Sequence, residues 1–197
     1  MANVFAIHSV GNSLVTYLTN SYPEPLRTDI PSQFRLLSSG ELLASADLPS
    51  TTTLSLYLYR VTMNEHLRNV TRPNGPRDSS IPLSLDLHYM MSVWADSAEA
   101  EQTVLAWAMR ELYLHPVLDI SSLSSEADWN AGDFIQLIPA ELTTEDLMRI
   151  WNAIDPPYRL SVSYIARVVR IDADRGQDAR PVVATRFSHT DREEGGQ

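Results

Sequence analysis

Ser84, Asp86 and His88 fall at alternate positions of Leu83-Ser84-Leu85-Asp86-Leu87-His88-Tyr89, and they are the residue types of a nucleophile, an orienting acid and a general base. Acyl transfer needs the three to converge from different directions, hydroxyl to imidazole to carboxylate. Side chains two residues apart on a strand stand side by side on one face. The spacing therefore reads as a polar patch on the solvent or interface side of a sheet. The other histidines, His8, His66, His115 and His189, form no pair two or four residues apart, the spacings that bring two imidazoles to one metal. Paired carboxylates occur at Glu99 with Glu101, Asp172 with Asp174, and Glu193 with Glu194. A glycosidase holds its two carboxyl groups across a cleft, roughly 5–10 Å apart; helix starts and solvated faces account for each of these pairs. No glycine spacing matches a phosphate-cradling turn, and Gly-x-Ser-x-Gly is absent. No catalytic residue, metal or cofactor is expected, and the chain reads as a non-enzyme.

The charges carry a different message. Among 197 residues there are 25 acids and 15 bases, a net charge of −10, with no cysteine. Every base is an arginine. Thiolate, disulfide and Schiff-base chemistry are thus excluded, and a nucleic-acid partner is not expected without a basic surplus to displace counterions. The whole excess sits in residues 96–146, where 11 acids face Arg110 alone; the flanks are near neutrality. Across residues 60–77, Arg60, Arg68, Arg72 and Arg77 meet one acid, Glu65, with Asn64, His66, Asn69 and Asn74 among them. A solvated loop pairing locally with Glu65 and Asp78 is one reading. The other is an interface, where the planar guanidinium fork binds carboxylates bidentately. The interface candidates are Arg60, Asn64, His66, Arg68, Asn69, Arg72 and Arg77, joined by Arg167 and Arg170; Glu99, Glu101, Glu126, Asp128 and Asp133 are candidates for the acidic counterpart.

These residues need a scaffold. At 44% hydrophobic and 20% charged the chain can bury a core as one domain. Val4, Ile7, Gly11, Leu14 and Leu18 are spaced for a helix that Pro23 and Pro25 end, followed by a loop with Pro31. Phe34–Leu37 reads as a short strand with a turn at Ser39-Gly40, and Leu54–Met63 as a strand covered on both faces. Ile81–Val93 alternates cleanly as another. A helix capped by Asp96 or Ser97 carries Val104, Leu105, Trp107, Ala108, Met109 and Leu112 inward until Pro116. Residues 119–131 form a Ser-rich acidic loop and Phe134–Ile138 a strand. Thr143 caps a second amphipathic helix with Leu147, Ile150, Trp151 and Ile154 on its stripe. Leu160–Ile171 is a final strand, with Leu160, Val162, Tyr164, Ala166 and Val168 on one face. Trp107 and Trp151 are expected to pack in the core rather than stack on a ligand. Three strands precede the second helix, which favours an α+β fold: a central mixed, largely antiparallel sheet flanked by amphipathic helices. The body is expected over 1–172, with a polar tail at 173–197. The N-terminus has no basic leader, continuous apolar segment or cleavage site, and no apolar run reaches the ~18–20 residues of a membrane span; folding in a cytoplasm is expected, without membrane insertion.

Several stretches resemble a known family: Tyr57-Leu58-Tyr59-Arg60-Val61-Thr62-Met63-Asn64-Glu65-His66-Leu67-Arg68-Asn69, then Leu83 to Tyr89, then His115-Pro116-Val117-Leu118, then Leu147 to Trp151 followed by Tyr158-Arg159-Leu160-Ser161-Val162-Ser163-Tyr164. In this order they resemble the N-terminal domain of the cap, or tail-terminator, proteins of phage-tail-like, extracellular contractile injection systems, over about residues 5–172. The resemblance implies a structural protein that assembles in the cytoplasm as a ring homo-oligomer, a hexamer, on the particle's distal end. Its implied partners are itself, the inner tube protein and the last layer of sheath protein, and release with the particle stays open. A cap-related soluble adaptor, tethering the particle or recruiting cargo without ending the tube, is the alternative.

Overall fold

The computed structural model describes residues 2–43, 51–64, 82–155 and 157–171. In chain order the elements are α1 (Ala6–Ser21), α2 (Glu24–Asp29), β1 (Ser32–Leu37), α3 (Ser39–Leu43), β2 (Thr52–Met63), β3 (Leu83–Trp94), α4 (Ala98–Leu114), β4 (Val117–Leu118), a 3₁₀ turn (Ser125–Ala127), β5 (Ile135–Ala140), α5 (Thr144–Ile154) and β6 (Ser161–Ile171). The six strands make one mixed sheet in the order β1-β2-β3-β6-β5-β4. Among the described residues only β1 and β2 run parallel, and every other neighbour pair is antiparallel. The α+β class and the largely antiparallel sheet are as expected.

One face of the sheet carries the larger core. Leu54 and Leu56 of β2, Leu87, Tyr89 and Met91 of β3, and Tyr164 and Ala166 of β6 pack against Ala6, Val10, Leu14 and Leu18 of α1 and the buried side of α4. Tyr22, Phe34 and Trp107 meet edge to face, with centroids 4.8–5.6 Å apart, the arrangement that ring quadrupoles favour. Gly11 lets α1 approach β1 closely: a Cβ there would stand 2.7 Å from Leu36 Cδ2. The Ser-rich segment after β4 docks on α1 through hydroxyls. Ser13 Oγ accepts the Ser124 amide at 2.7 Å, Ser9 donates to the Ser124 carbonyl, and Trp129 Nε1 donates to Ser9 Oγ at 3.0 Å. Buried serines on a helix are thus the partners of an irregular backbone that needs them.

The opposite face is covered over half its length. There α3 and α5 bury Leu37, Leu42, Met90, Trp94, Trp151 and Ile154 as a second cluster. Trp94 Nε1 donates to Ser55 Oγ at 2.9 Å and Trp151 Nε1 to Ser161 Oγ at 3.2 Å, while Ser92 and Ser161 share a 2.9 Å bond. Both indoles enter the core with their N–H groups paired. Trp107 and Trp151 are core residues, as expected.

Several local expectations are corrected. Val4 leaves the α1 stripe and is 72% exposed, because the helix starts at Ala6 and turns Ala6, Val10 and Leu14 inward. The loop before β1 contains α2, with Pro at its first turn where a missing N–H costs nothing. Ser39-Gly40 opens α3 instead of a turn, the Ser38 amide and hydroxyl both donating to the Glu41 carboxylate at 2.8 Å. Met109 and Phe134 are exposed, and β5 starts one residue after Phe134. Ser97 and Thr143 do cap their helices, accepting the Ala100 and Asp146 amides at 3.1 Å. Leu160 lies just before β6, and Ile81 lies outside the described residues.

Candidate interaction site

Two β-bulges shape the half-face that α5 leaves open. In β2 the register against β3 shifts between Leu58 and Arg60, and in β6 it shifts between Ala166 and Val169, opposite Leu85 and Leu87. The second bulge puts Val168 at φ 65, a left-handed backbone that β-branched residues rarely adopt and that costs about 1–3 kcal/mol. It reverses the alternation, so Val169 enters the core and Val168, expected there, does not. Arg170 consequently shares the outer face with Arg167.

Asp86 holds this bulge. Its Oδ1 accepts the Val168 amide at 3.1 Å, both its oxygens accept Asn64 Nδ2 at 3.2 Å, and Arg167 Nε lies 3.9 Å from Oδ2. His88 turns elsewhere: its Nε2 bonds Thr62 Oγ1 at 3.0 Å, and its ring meets Tyr59 edge-on. Partial burial lowers its pKa, the neighbouring Arg60 lowers it further, and Asp86 opposes both. A lowered folded pKa means that the unfolded chain takes up the proton first, so His88 withholds stability as pH falls below its ordinary value near 6.5. Asp86 and His88 thus bind separate partners, and Ser84 is buried rather than solvent-facing. Among the described residues no group of three His, Asp or Glu side chains could hold a metal ion.

Of the basic candidates, Arg60, Arg167 and Arg170 share this outer face. Arg60 pairs in register with His88, His88 with Ile165, and Ser84 with Arg170. Asn64 is buried, and its amide serves Asp86 rather than the surface. His66, Arg68, Asn69, Arg72 and Arg77 lie outside the described residues. Of the acidic candidates, Glu99, Glu101, Glu126 and Asp128 lie on or beside the helices of the other face, and Asp133 lies in the turn before β5. Glu99 and Glu101 stand in the first turn of α4, and Glu101 Oε1 accepts the Leu160 amide at 3.3 Å. Asp133 accepts Asn130 N at 2.8 Å. Glu126 and Asp128 lie beside the start of α1, where Asn3 Nδ2 donates to the Glu126 carbonyl at 3.2 Å and to Asp128 Oδ2 at 3.0 Å. Sequence reasoning missed Asp86 as the keystone. Its only signal was a carboxylate on an otherwise uncharged strand.

A model of the Pvc16 N-terminal domain matches residues 9–185. The chain belongs to the Pvc16 N-terminal domain family. Two solved structures share the fold of this Pvc16-type domain. One is the sheath/tube terminator of an extracellular contractile injection system, PVC, in its extended state, at 18% identity and a TM-score of 0.59. The other is the anti-feeding prophage cap, a tube-terminating cap, at 16% identity and a TM-score of 0.55. Each alignment covers 96% of this chain, but only 65% and 62% of the respective neighbour. No curated protein matches the chain. The Pvc16-type domain has no helix among its described residues long and apolar enough to cross a membrane.

Proposed function

We propose that this chain is the cap, or tail-terminator, subunit of a contractile injection system. It forms a hexameric ring that ends the inner tube and binds the last sheath layer, with residues 1–172 as the ring-forming body and 173–197 as an appended polar segment. It acts structurally, without catalysis, and assembles in the cytoplasm as part of the particle. The observation that carries this reading is the match of nearly the whole chain to the fold of a sheath/tube terminator. Two different surface patches support it: Arg60, Arg167 and Arg170 share the outer face of the sheet, while Glu99, Glu101, Glu126 and Asp128 lie on α4 and beside α1, as a head-to-tail ring requires of its two patches.

Deleting the gene and imaging the particles tests the reading. Loss of a terminator should give tubes of irregular length or unstable particles, whereas normal particles would overturn it in favour of the adaptor. The charge pairing is tested separately on the isolated ring. Exposed ion pairs are screened over about 8–10 Å at physiological ionic strength, so molar salt, or Arg68→Glu combined with Arg72→Glu, should shift the mass distribution from rings to monomers. Rings unmoved by both would remove the arginine loop from the interface.

A further inference from the structure

At the start of α1 two apolar side chains take no part in the core. Val4 is 72% exposed and Phe5 57%, two adjacent apolar side chains facing out, yet their backbone is pinned. The Phe5 amide donates to Asn3 Oδ1 at 2.8 Å, and Asn3 N donates to the Ala127 carbonyl at 3.0 Å. An apolar corner held by this many bonds is a presented surface, not a frayed terminus. Glu126 and Asp128 rim it, tied through the same Asn3.

Through the sheet, the half-face left open by α5 has the converse character. Ile165 is partly exposed there, in register with His88 and Ile138, and Arg60, Arg167 and Arg170 share the same face. Arg167 is steadied by Asp86. Apolar centres with charged rims are the usual anatomy of a protein interface. Here the rims have opposite sign.

We infer that Val4 and Phe5, with Glu126 and Asp128, form the head of a head-to-tail contact whose tail is the Ile165 half-face, with Arg60, Arg167 and Arg170, of a second copy of this chain. The inference rests on the ring proposed above and names its contact surfaces. Because head and tail lie on opposite sides of one sheet, the contact is heterologous: it cannot saturate in a two-fold dimer and must close into a ring or continue. The guanidinium forks supply fixed geometry at the rim, and the aromatic ring of Phe5 supplies the buried anchor.

The test uses the full chain, with species sized by light scattering at low salt. Phe5→Asp disables the head, and Arg60→Glu with Arg170→Glu disables the tail. All three positions are exposed, so each variant should keep the wild-type circular dichroism and melting temperature. Each variant alone should lose every species above monomer. An equimolar mixture retains one working head and one working tail, and should yield dimers but nothing larger. Wild-type assembly by Phe5→Asp, or full-sized rings from the mixture, would overturn the contact while leaving the cap reading intact. A wild-type chain that stays monomeric at tens of micromolar would overturn it too. The cap reading fails only on the independent evidence of normal tube lengths in the deletion strain.

Discussion

Trp151→Ala should cost about 3–5 kcal/mol, the range for removing a large aromatic side chain from a packed core. For a chain of this size that corresponds to a melting temperature lower by about 6–20 °C. Trp151 is 2% exposed and lies at the centre of the second cluster, with ring centroids 5.9 Å from Trp94 and 6.0 Å from Tyr158. Its indole N–H also occupies Ser161 Oγ. Removing it leaves a void between α5 and the sheet and one hydroxyl short of a donor. Met90 and Trp94 would then be open to water along that seam. Trp151→Phe keeps an aromatic ring in the slot and should recover more than half of the loss. A thermal melt shifted by less than about 2 °C for the alanine variant would mean that α5 is not held by this residue.

Asp86→Ala should cost about 2–4 kcal/mol, since hydrogen bonds to a charged group are worth about 1.5–3 kcal/mol each and an abandoned buried donor adds its own penalty. Three groups converge on this carboxylate: the Val168 amide, the Asn64 amide and Arg167. Without it, the left-handed backbone at Val168 has no side-chain acceptor to pin it, and the strain there favours a regular strand. That relaxation would change which side chains of β6 face outward, moving Arg170 off the outer face. Faster amide exchange at Val168, along with the lower stability, is the signature to measure. Asp86→Asn keeps one acceptor oxygen for Val168 and should recover part of both effects. Unchanged exchange at Val168 in the alanine variant would sink the assignment of Asp86 as the pin.

The large periodic elements were legible because hydrophobic spacing alone sets them. The stripes of α4 (Met109 apart) and α5, their Ser97 and Thr143 caps and the alternation of β3 appear where the residues place them. Three kinds of feature were not. Short helices such as Glu24–Asp29 and Ser39–Leu43 carry too few turns for a period, and only local bonds, such as Ser38 to Glu41, select them. Bulges are invisible to alternation because one extra residue inverts the face downstream, which is how Val168 and Val169 exchanged roles. The start of α1 was misread because Val4 fits the stripe arithmetically while Asn3 fixes the entry one turn differently. At the site, the placing of Arg60, Arg167 and Arg170 on one face depends on β6 lying beside β3, which composition cannot reveal. The charge asymmetry itself was plain in the sequence, because it needs no topology.

The position of β6 has a consequence for how the chain is made. The last strand among the described residues is an interior one in the sheet, inserted between β3 and β5. When Trp94 has left the ribosome, one edge of β3 has no partner until Ser161–Ile171 follows. At about 5–20 residues per second that interval lasts on the order of 3–13 s. Throughout it the nascent chain exposes a long apolar strand edge, the kind of template that draws in other chains. A product truncated before residue 161 would never close its sheet. Emergence of β6 thus becomes the checkpoint that closes the sheet, and the nascent chain needs holdase chaperones most between the release of Trp94 and that of Ser161.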